Sequence, residues 1–285
     1  MMRSVVVGLD GSAESRAAAE WAVGEAKRRF LPLKLVHVAE AVPEPMALAQ
    51  FLGARTPPQW SERLPREVVE GLRDRHPGLE VSVEQTPGRP AEELTREAED
   101  AELVVLGSRG LSGIGGFFLG SVSQAVVTRT RQPVILVRAV EQATDGPVVL
   151  GLDTDCPDDT LLTFAFEAAA RRVTPLRVVH AWNLPPYFAY GLPVDPELDA
   201  ALGKQEAATL SGVLHRWKEK YPAVEVIEES HPGSPAVHLV DASHGASLVV
   251  VGRRIRRNPL GAHIGPVTHA VLHHVTAPVA VVAHD

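Results

Sequence analysis

The chain has 285 residues, which at roughly 150 residues per domain suggests two domains or one large one. Apolar residues make up 45% and charged residues 22%, the balance of a folded soluble protein, and no run approaches the roughly 18 uncharged apolar residues that a membrane span needs. The single cysteine, Cys156, excludes an internal disulfide and a CxxC metal site and fits a reducing, cytoplasmic setting, while a net charge of −7 argues against a duplex nucleic-acid binder.

At the N-terminus Met1–Val7 runs directly into Gly8-Leu9-Asp10, with no apolar core or cleavage site to suggest a signal peptide. Val5–Leu9 is a continuous apolar run, as a strand buried on both faces requires. Ala17, Ala18, Trp21 and Ala22 then recur at helical spacing. Leu33–Val38 reads as a second strand, followed by a Pro-rich loop and a helix over 62–75. Leu79–Gln85 alternates weakly, as an edge strand does, and 90–100 reads as a short helix. Leu103–Leu106 is a buried strand, 121–130 a helix and Pro133–Val137 a last strand.

The same order then repeats. Val5-Val6-Val7-Gly8-Leu9-Asp10 matches Val148-Val149-Leu150-Gly151-Leu152-Asp153, and Leu35-Val36-His37-Val38 matches Val178-Val179-His180-Ala181, both 143 residues on. Leu103–Gly107 matches Leu248–Gly252, and Pro133–Val137 matches Pro278–Val282, both 145 residues on. A period of this length is a whole domain, not a solenoid unit. We expect domains over 1–140 and 146–285, joined by a polar segment that ends in Gly146-Pro147. Strands alternating with helices imply, twice over, a doubly wound, mainly parallel α/β sheet with helices on both faces.

In such sheets ligands bind beyond the carboxyl ends of strands, where the strand order reverses. Two ends in the first copy carry unusual residues: Gly8-Leu9-Asp10-Gly11-Ser12 after the first strand, and a stretch from Gly107 to Ser121 with six glycines in fifteen residues after the fourth. That stretch includes Ser108, Arg109, Gly110, Gly113 and Gly120, and it feeds a helix starting near Ser121. Glycines let the backbone approach a ligand closely, and unpaired amides at a helix start attract phosphate. Ser121 and Ser123 add hydroxyls, and Arg109 adds charge.

The spacing Gly107-x2-Gly110-x9-Gly120-Ser121 resembles the nucleotide-binding signature G-2x-G-9x-G-[S/T] of the universal stress proteins. Gly-Leu-Asp-Gly-Ser after the first strand, Val-His-Val in the second and Pro-Val-Ile-Leu-Val at the last extend the resemblance across both copies, most like two-domain actinobacterial forms. The resemblance implies two tandem five-stranded sheets of order 3-2-1-4-5 and a site for ATP or another adenine nucleotide, with Mg²⁺ as its counter-ion. It implies that Gly8 and Asp10 line the pocket, Asp10 near the ribose or a phosphate-bound metal, and that the backbone of Val38 contacts the adenine edge. Gly107 and Gly110 would wrap the phosphates, with Gly120, Ser121 and Val122 closing around them. His37 reads as a packed strand-end histidine.

The second copy departs from this pattern. Gly110 aligns with Ile255, which resists the positive φ that glycine permits, and Ser121 with Pro266, which lacks an amide donor. Its loop carries Arg253, Arg254, Arg256 and Arg257. We expect weakened or absent nucleotide binding there, with the arginines holding another anion, reaching the first site or simply solvated. His269 and His273, four apart on a predicted helix, share a face at a spacing that suits a metal pair, although no HExxH accompanies them.

No Walker loop, kinase HRD or DFG set, or GxSxG elbow occurs. The stretch 107–123 holds no Asp, Glu, His or Lys to act as a base, so a phosphate cradle here binds better than it turns over. The leading expectation is a regulatory nucleotide binder whose occupancy orders the loop and changes a surface shown to a protein partner. A slow hydrolase or adenylating enzyme of related fold, and a dimerising module pairing terminal strand edges into a homodimer, are the alternatives.

Overall fold

The computed structural model describes residues 3–39, 59–110, 117–140, 143–182, 196–255 and 264–285. The chain separates into two compact units, Met1–Val140 and Glu141–Asp285. Gly113, Arg256 and Arg257 lie outside the described residues.

The first unit runs β1 (Val5–Leu9), α1 (Ala13–Arg29), β2 (Leu33–Ala39), α2 (Gln59–Arg75), β3 (Val81–Pro87), α3 (Pro90–Glu99), β4 (Leu103–Gly107), α4 (Ser121–Arg129) and β5 (Val134–Val137). β1 pairs with β2 and β4, β2 with β3 and β4 with β5, every pair parallel, which gives the order 3-2-1-4-5. β1 is buried along its whole length. Each fully buried Val or Leu there contributes roughly 1.5–3 kcal/mol. β3 is exposed along most of its length, as the weak alternation of the sequence suggests, and starts two residues later than expected.

α1 forms because its ends are capped and its face is small. Ser12 accepts from the Ser15 amide, Glu14 lies in the first turn and Lys27, Arg28 and Arg29 in the last, where each charge complements the helix dipole. Ala18, Ala19, Ala22 and Ala26 let the helix sit close on the sheet. α1 and α2 lie together, bridged by Lys27 to His76 (3.0 Å) and by Arg75 to Glu20. α3 and α4 pack against one another elsewhere on the sheet. The sequence did not suggest a two-residue antiparallel ladder, Arg109–Gly110 with Phe117–Phe118, which closes the base of the glycine-rich loop.

The second unit repeats this order: β6 (Val148–Gly151), α5 (Asp159–Arg172), β7 (Leu176–Trp182), α6 (Pro196–Lys220), β8 (Val226–Pro232), α7 (Pro235–Ala242), β9 (Leu248–Arg254), α8 (Pro266–His274) and β10 (Val279–His284). Its parallel pairs give the order β8-β7-β6-β9-β10. Phe166 of α5 stacks on Trp217 of α6 at 5.8 Å. Each unit is thus a doubly wound α/β sheet with a reversal point beside its first strand.

Candidate functional site

In the first unit the reversal point lies between β1 and β4, so their carboxyl ends flank one crevice. At the end of β1 the chain turns sharply: Gly11 takes φ +84°, which an L side chain rarely adopts. The turn is locked by Asp10, whose Oδ1 accepts from the Ser12 amide (3.0 Å) and the Ser12 hydroxyl (2.5 Å). The same Ser12 oxygen accepts from the Ser15 amide and starts α1. Asp10 is therefore fixed, exposed, at the mouth of the crevice.

Across the crevice α4 begins at Gly120, whose carbonyl accepts from the Gln124 amide (2.9 Å). The N-cap residue is a glycine, so it has no side chain with which to cap this start. The amides of Ser121, Val122 and Ser123 belong to the first helical turn, which has no intrahelical acceptors. A Cβ added at Gly120 would meet nothing within 4 Å among the described residues.

The other expected residues do different jobs. A Cβ at Gly107 would lie 2.7 Å from Glu14 C and Ser15 N, so this glycine lets the end of β4 pass against the backbone of α1. Gly8 is tight against Leu106 and Leu94. Ser108 is buried, and its amide donates to Val137 O (2.7 Å), so it serves the wall. The Ser123 hydroxyl donates to Gly107 O (3.3 Å) and ties the start of α4 to the end of β4, which leaves its backbone as the group presented to a ligand. Arg109 and Gly110 sit in the short ladder. Val38 is half-buried near the carboxyl end of β2. His37 donates from Nδ1 to Leu9 O (2.9 Å), a carbonyl that can only accept, so it packs as a strand-end residue.

The second unit holds a cavity of about 660 Å³ at the equivalent place, beyond the carboxyl ends of β6, β7 and β9. Thr154 stands where the first unit has Gly11, and its hydroxyl lies 3.3 Å from His180 Nε2. His180 Nδ1 faces Leu152 O at 3.2 Å, and Glu206 of α6 approaches the same Nε2 at 3.3 Å. Arg254 reaches Asp153 at 3.3 Å, and burial pushes the Arg253 guanidinium below its ordinary value. The device that ties the helix start to the sheet is retained: Thr268 takes the role of Ser123, its hydroxyl donating to Gly252 O (2.8 Å).

Sequence reasoning missed the Thr154–His180–Glu206 cluster. His180 was visible as the repeat of His37, but Glu206 lies in the stretch where the two copies diverge and carries no local motif. The rings of His269 and His273 stand 4.2 Å apart. Among the described residues no group of three or more His, Cys, Asp or Glu is arranged to hold a metal, and no helix is long and apolar enough to cross a membrane.

Comparison with known proteins places this architecture. The profile of the Universal stress protein family matches residues 1–138 and again 146–283. A universal stress protein of Mycobacterium tuberculosis is 34% identical over 294 residues, covering 97% of this chain and 96% of its own length. One from Mycolicibacterium smegmatis is 31% identical over 293 residues, covering 98% and 96%. The crystal structure of a universal stress protein from Archaeoglobus fulgidus superposes with a TM-score of 0.71 over 99% of this chain and 98% of its own, at 19% identity, a likeness of fold. The chain belongs to the universal stress protein family and carries two tandem copies of its domain.

Proposed function

We propose that the first unit binds an adenine nucleotide, ATP foremost, in the crevice between β1 and β4, and that occupancy regulates a partner protein by ordering the loop after β4. The observation that carries this reading is the uncapped start of α4 at Gly120, clear of every described residue and held against the end of β4 by Ser123. Main-chain amides there suit the β- and γ-phosphates, and the helix dipole favours their charge. Gly107, Gly110 and Gly113 are positions of the intervening stretch that carry no side chain of their own.

The first-strand turn brings the carboxylate of Asp10 to this mouth, and its Oδ1 is engaged by Ser12. Mg²⁺ demands near-octahedral oxygen ligation, so it fits here only as an ion that arrives with the nucleotide and takes most of its ligands from phosphate and water. When bound it would supply charge neutralisation. The chain's own contribution is to orient the tail and exclude water. The absence of a base between 107 and 123 supports binding over turnover.

The test is calorimetry of the full chain with Mg-ATP, ADP and AMP, combined with hydrogen exchange. One site is expected, with exchange slowed over residues 108–122. No heat with any of the three, and no adenine nucleotide in the purified protein by mass spectrometry, would overturn the reading.

A further inference from the structure

Two pairs of histidine rings lie together in the second unit. On α8 the ring centres of His269 and His273 are 4.2 Å apart, with their planes inclined by 31°. Towards the end of β8, His231 stacks on His238 of α7 at 4.8 Å, nearly parallel at 18°. The nitrogens of that second pair are engaged: His238 Nε2 donates to Pro232 O at 3.0 Å, and His231 Nε2 faces Glu229 at 3.4 Å. On α8 the situation differs. His269 is exposed, and among the described residues its side chain meets only the neighbouring His273 ring.

The helical period brings these two rings together. Thr268, Val271 and Leu272 form the buried stripe of α8, and His269 and His273, four apart beside it, fall on one face. Metal–imidazole bonds run about 2.0–2.1 Å, so two imidazoles on one ion have ring centres roughly 4.5–5 Å apart. The α8 pair falls short of that by less than about 1 Å, which small side-chain rotations supply. His273 is half-buried and has a further interaction of its own. Ligation takes only one of its two ring nitrogens, and the other N–H of a ligating histidine is normally held by an acceptor. The first unit has no counterpart, because α4 carries Gln124 and Thr128 at the aligned positions.

We propose that His269 and His273 chelate a divalent transition cation that favours imidazole, Cu²⁺ foremost, and that the cation clamps α8. Imidazole suits Cu²⁺, Ni²⁺ and Zn²⁺, with Cu²⁺ the tightest of them, whereas Mg²⁺ and Mn²⁺ take oxygen ligands. The chain supplies two ligands and water the rest, so the ion is exchangeable and not a part of the folded core. α8 has nine residues and a glycine at its N-cap, so little within the helix itself holds it. A link between its first and last turns holds the helical conformation that brings the rings together, and an ion bound only by that conformation stabilises it. The first turn borders the second unit's cavity through Pro266, Val267 and Thr268, so the clamp steadies one wall of that crevice.

The experiment uses the full chain, free of any affinity tag and stripped with a chelator. Cu²⁺ is titrated by calorimetry into the wild-type chain and into His269→Gln and His273→Thr, which borrow the residues of α4, with His231→Gln as the control for the other ring pair. Circular dichroism establishes that each is folded, and the exposed His269 keeps the test open should His273→Thr disturb packing. Cu²⁺ affinity is expected to fall at least tenfold in each α8 variant and to be unchanged in His231→Gln. Electron paramagnetic resonance of the wild-type complex should show two nitrogen ligands, and Cu²⁺ should slow hydrogen exchange in α8 but not in α4. No Cu²⁺ binding by the wild-type chain, binding indifferent to both α8 substitutions, or binding lost in His231→Gln overturns the site. Unchanged exchange in α8 at saturating Cu²⁺ overturns the clamp.

Discussion

The two units share a backbone plan and differ at the mouth. In the first, Gly11 turns at positive φ and Gly107 slides past the backbone of α1. In the second, the residue equivalent to Gly11 is Thr154, which gives its hydroxyl to His180, and the glycine equivalent to Gly107 is Gly252, which lies under the His284 ring. The anchor of the following helix survives in both, as Ser123 to Gly107 O and Thr268 to Gly252 O. The scaffold that positions a helix start is thus retained independently of the groups that would hold a phosphate there. The fold therefore sets where the crevice lies in each unit, and the groups presented at its mouth differ between the two.

The sharpest way to break this comparison is a matched pair. Gly120→Asp should weaken Mg-ATP binding at least 100-fold, about 2.7 kcal/mol, through charge repulsion at the phosphates. Because Gly120 has ordinary extended geometry, no described residue within reach of a Cβ and the N-cap position, where Asp is as good as glycine or better, stability should hold or rise by a few tenths of a kcal/mol. Gly265→Asp should leave the ATP isotherm unchanged. If the two substitutions cost ATP binding equally in calorimetry, the units are functionally alike and the contrast fails.

A smaller effect separates the two strand-end glycines. Gly107→Ala forces a Cβ against backbone atoms of Glu14 and Ser15, which cannot move without shifting α1. Overpacking of this kind costs ~1–3 kcal/mol. Gly252→Ala meets the His284 side chain, which can rotate away, so its cost should fall at or below the bottom of that range. Urea denaturation midpoints of the two variants decide the order.

At one further place the units agree, and both are strained. Phe30 and Val173 end α1 and α5 at φ 54°, and they are 92% and 91% exposed. These are positions at which helices usually carry glycine, because an L side chain in the left-handed region costs ~1–2 kcal/mol. Nothing among the described contacts explains why an aromatic and a β-branched residue stand there. Phe30→Gly and Val173→Gly should each raise stability, by about 1 kcal/mol before the added freedom of the unfolded chain is counted, with the larger gain at β-branched Val173. A lower Tm for both would mean that the side chains make contacts the fold does not reveal.

The smallest expected difference is in pH response. Burial opposes the charge of Lys34, but hydrogen bonds to Glu84 (2.7 Å) and Glu97 (2.5 Å) outweigh it and hold its pKa above the ordinary 10.5. Its contribution to the first unit is complete below 10.5 and is lost as pH rises through the folded value. Glu228 shows the opposite sign. Burial pushes its carboxyl up, yet Lys218 and Ser211 outweigh burial and hold it below 4.5. Its contribution to the second unit is present above 4.5 and is lost as pH falls through the folded value. Both groups keep part of their side chain in water, and solvent screening keeps the effects small. Lys34→Met should flatten the alkaline limb of the stability profile and Glu228→Gln the acidic limb, as read from Tm against pH. Unchanged limbs would remove these pairs from the account.

The duplication, the alternation of strand and helix and the location of the first unit's candidate site are all legible in the order of residues. These are legible because buried parallel strands demand unbroken apolar runs, helices impose their own period, and glycines and a helix start act over a few neighbouring residues. Strand bounds slipped by one or two residues where burial was partial, as at β3. What several of those residues do emerges only once the chain is folded. Gly107 is required by the backbone of α1, far earlier in the chain, Ser123 is an anchor, and Glu206 meets His180 from a helix the repeat does not align. Steric exclusion and hydrogen bonding act between atoms brought together through space, and no local pattern of residues records which distant atoms those will be.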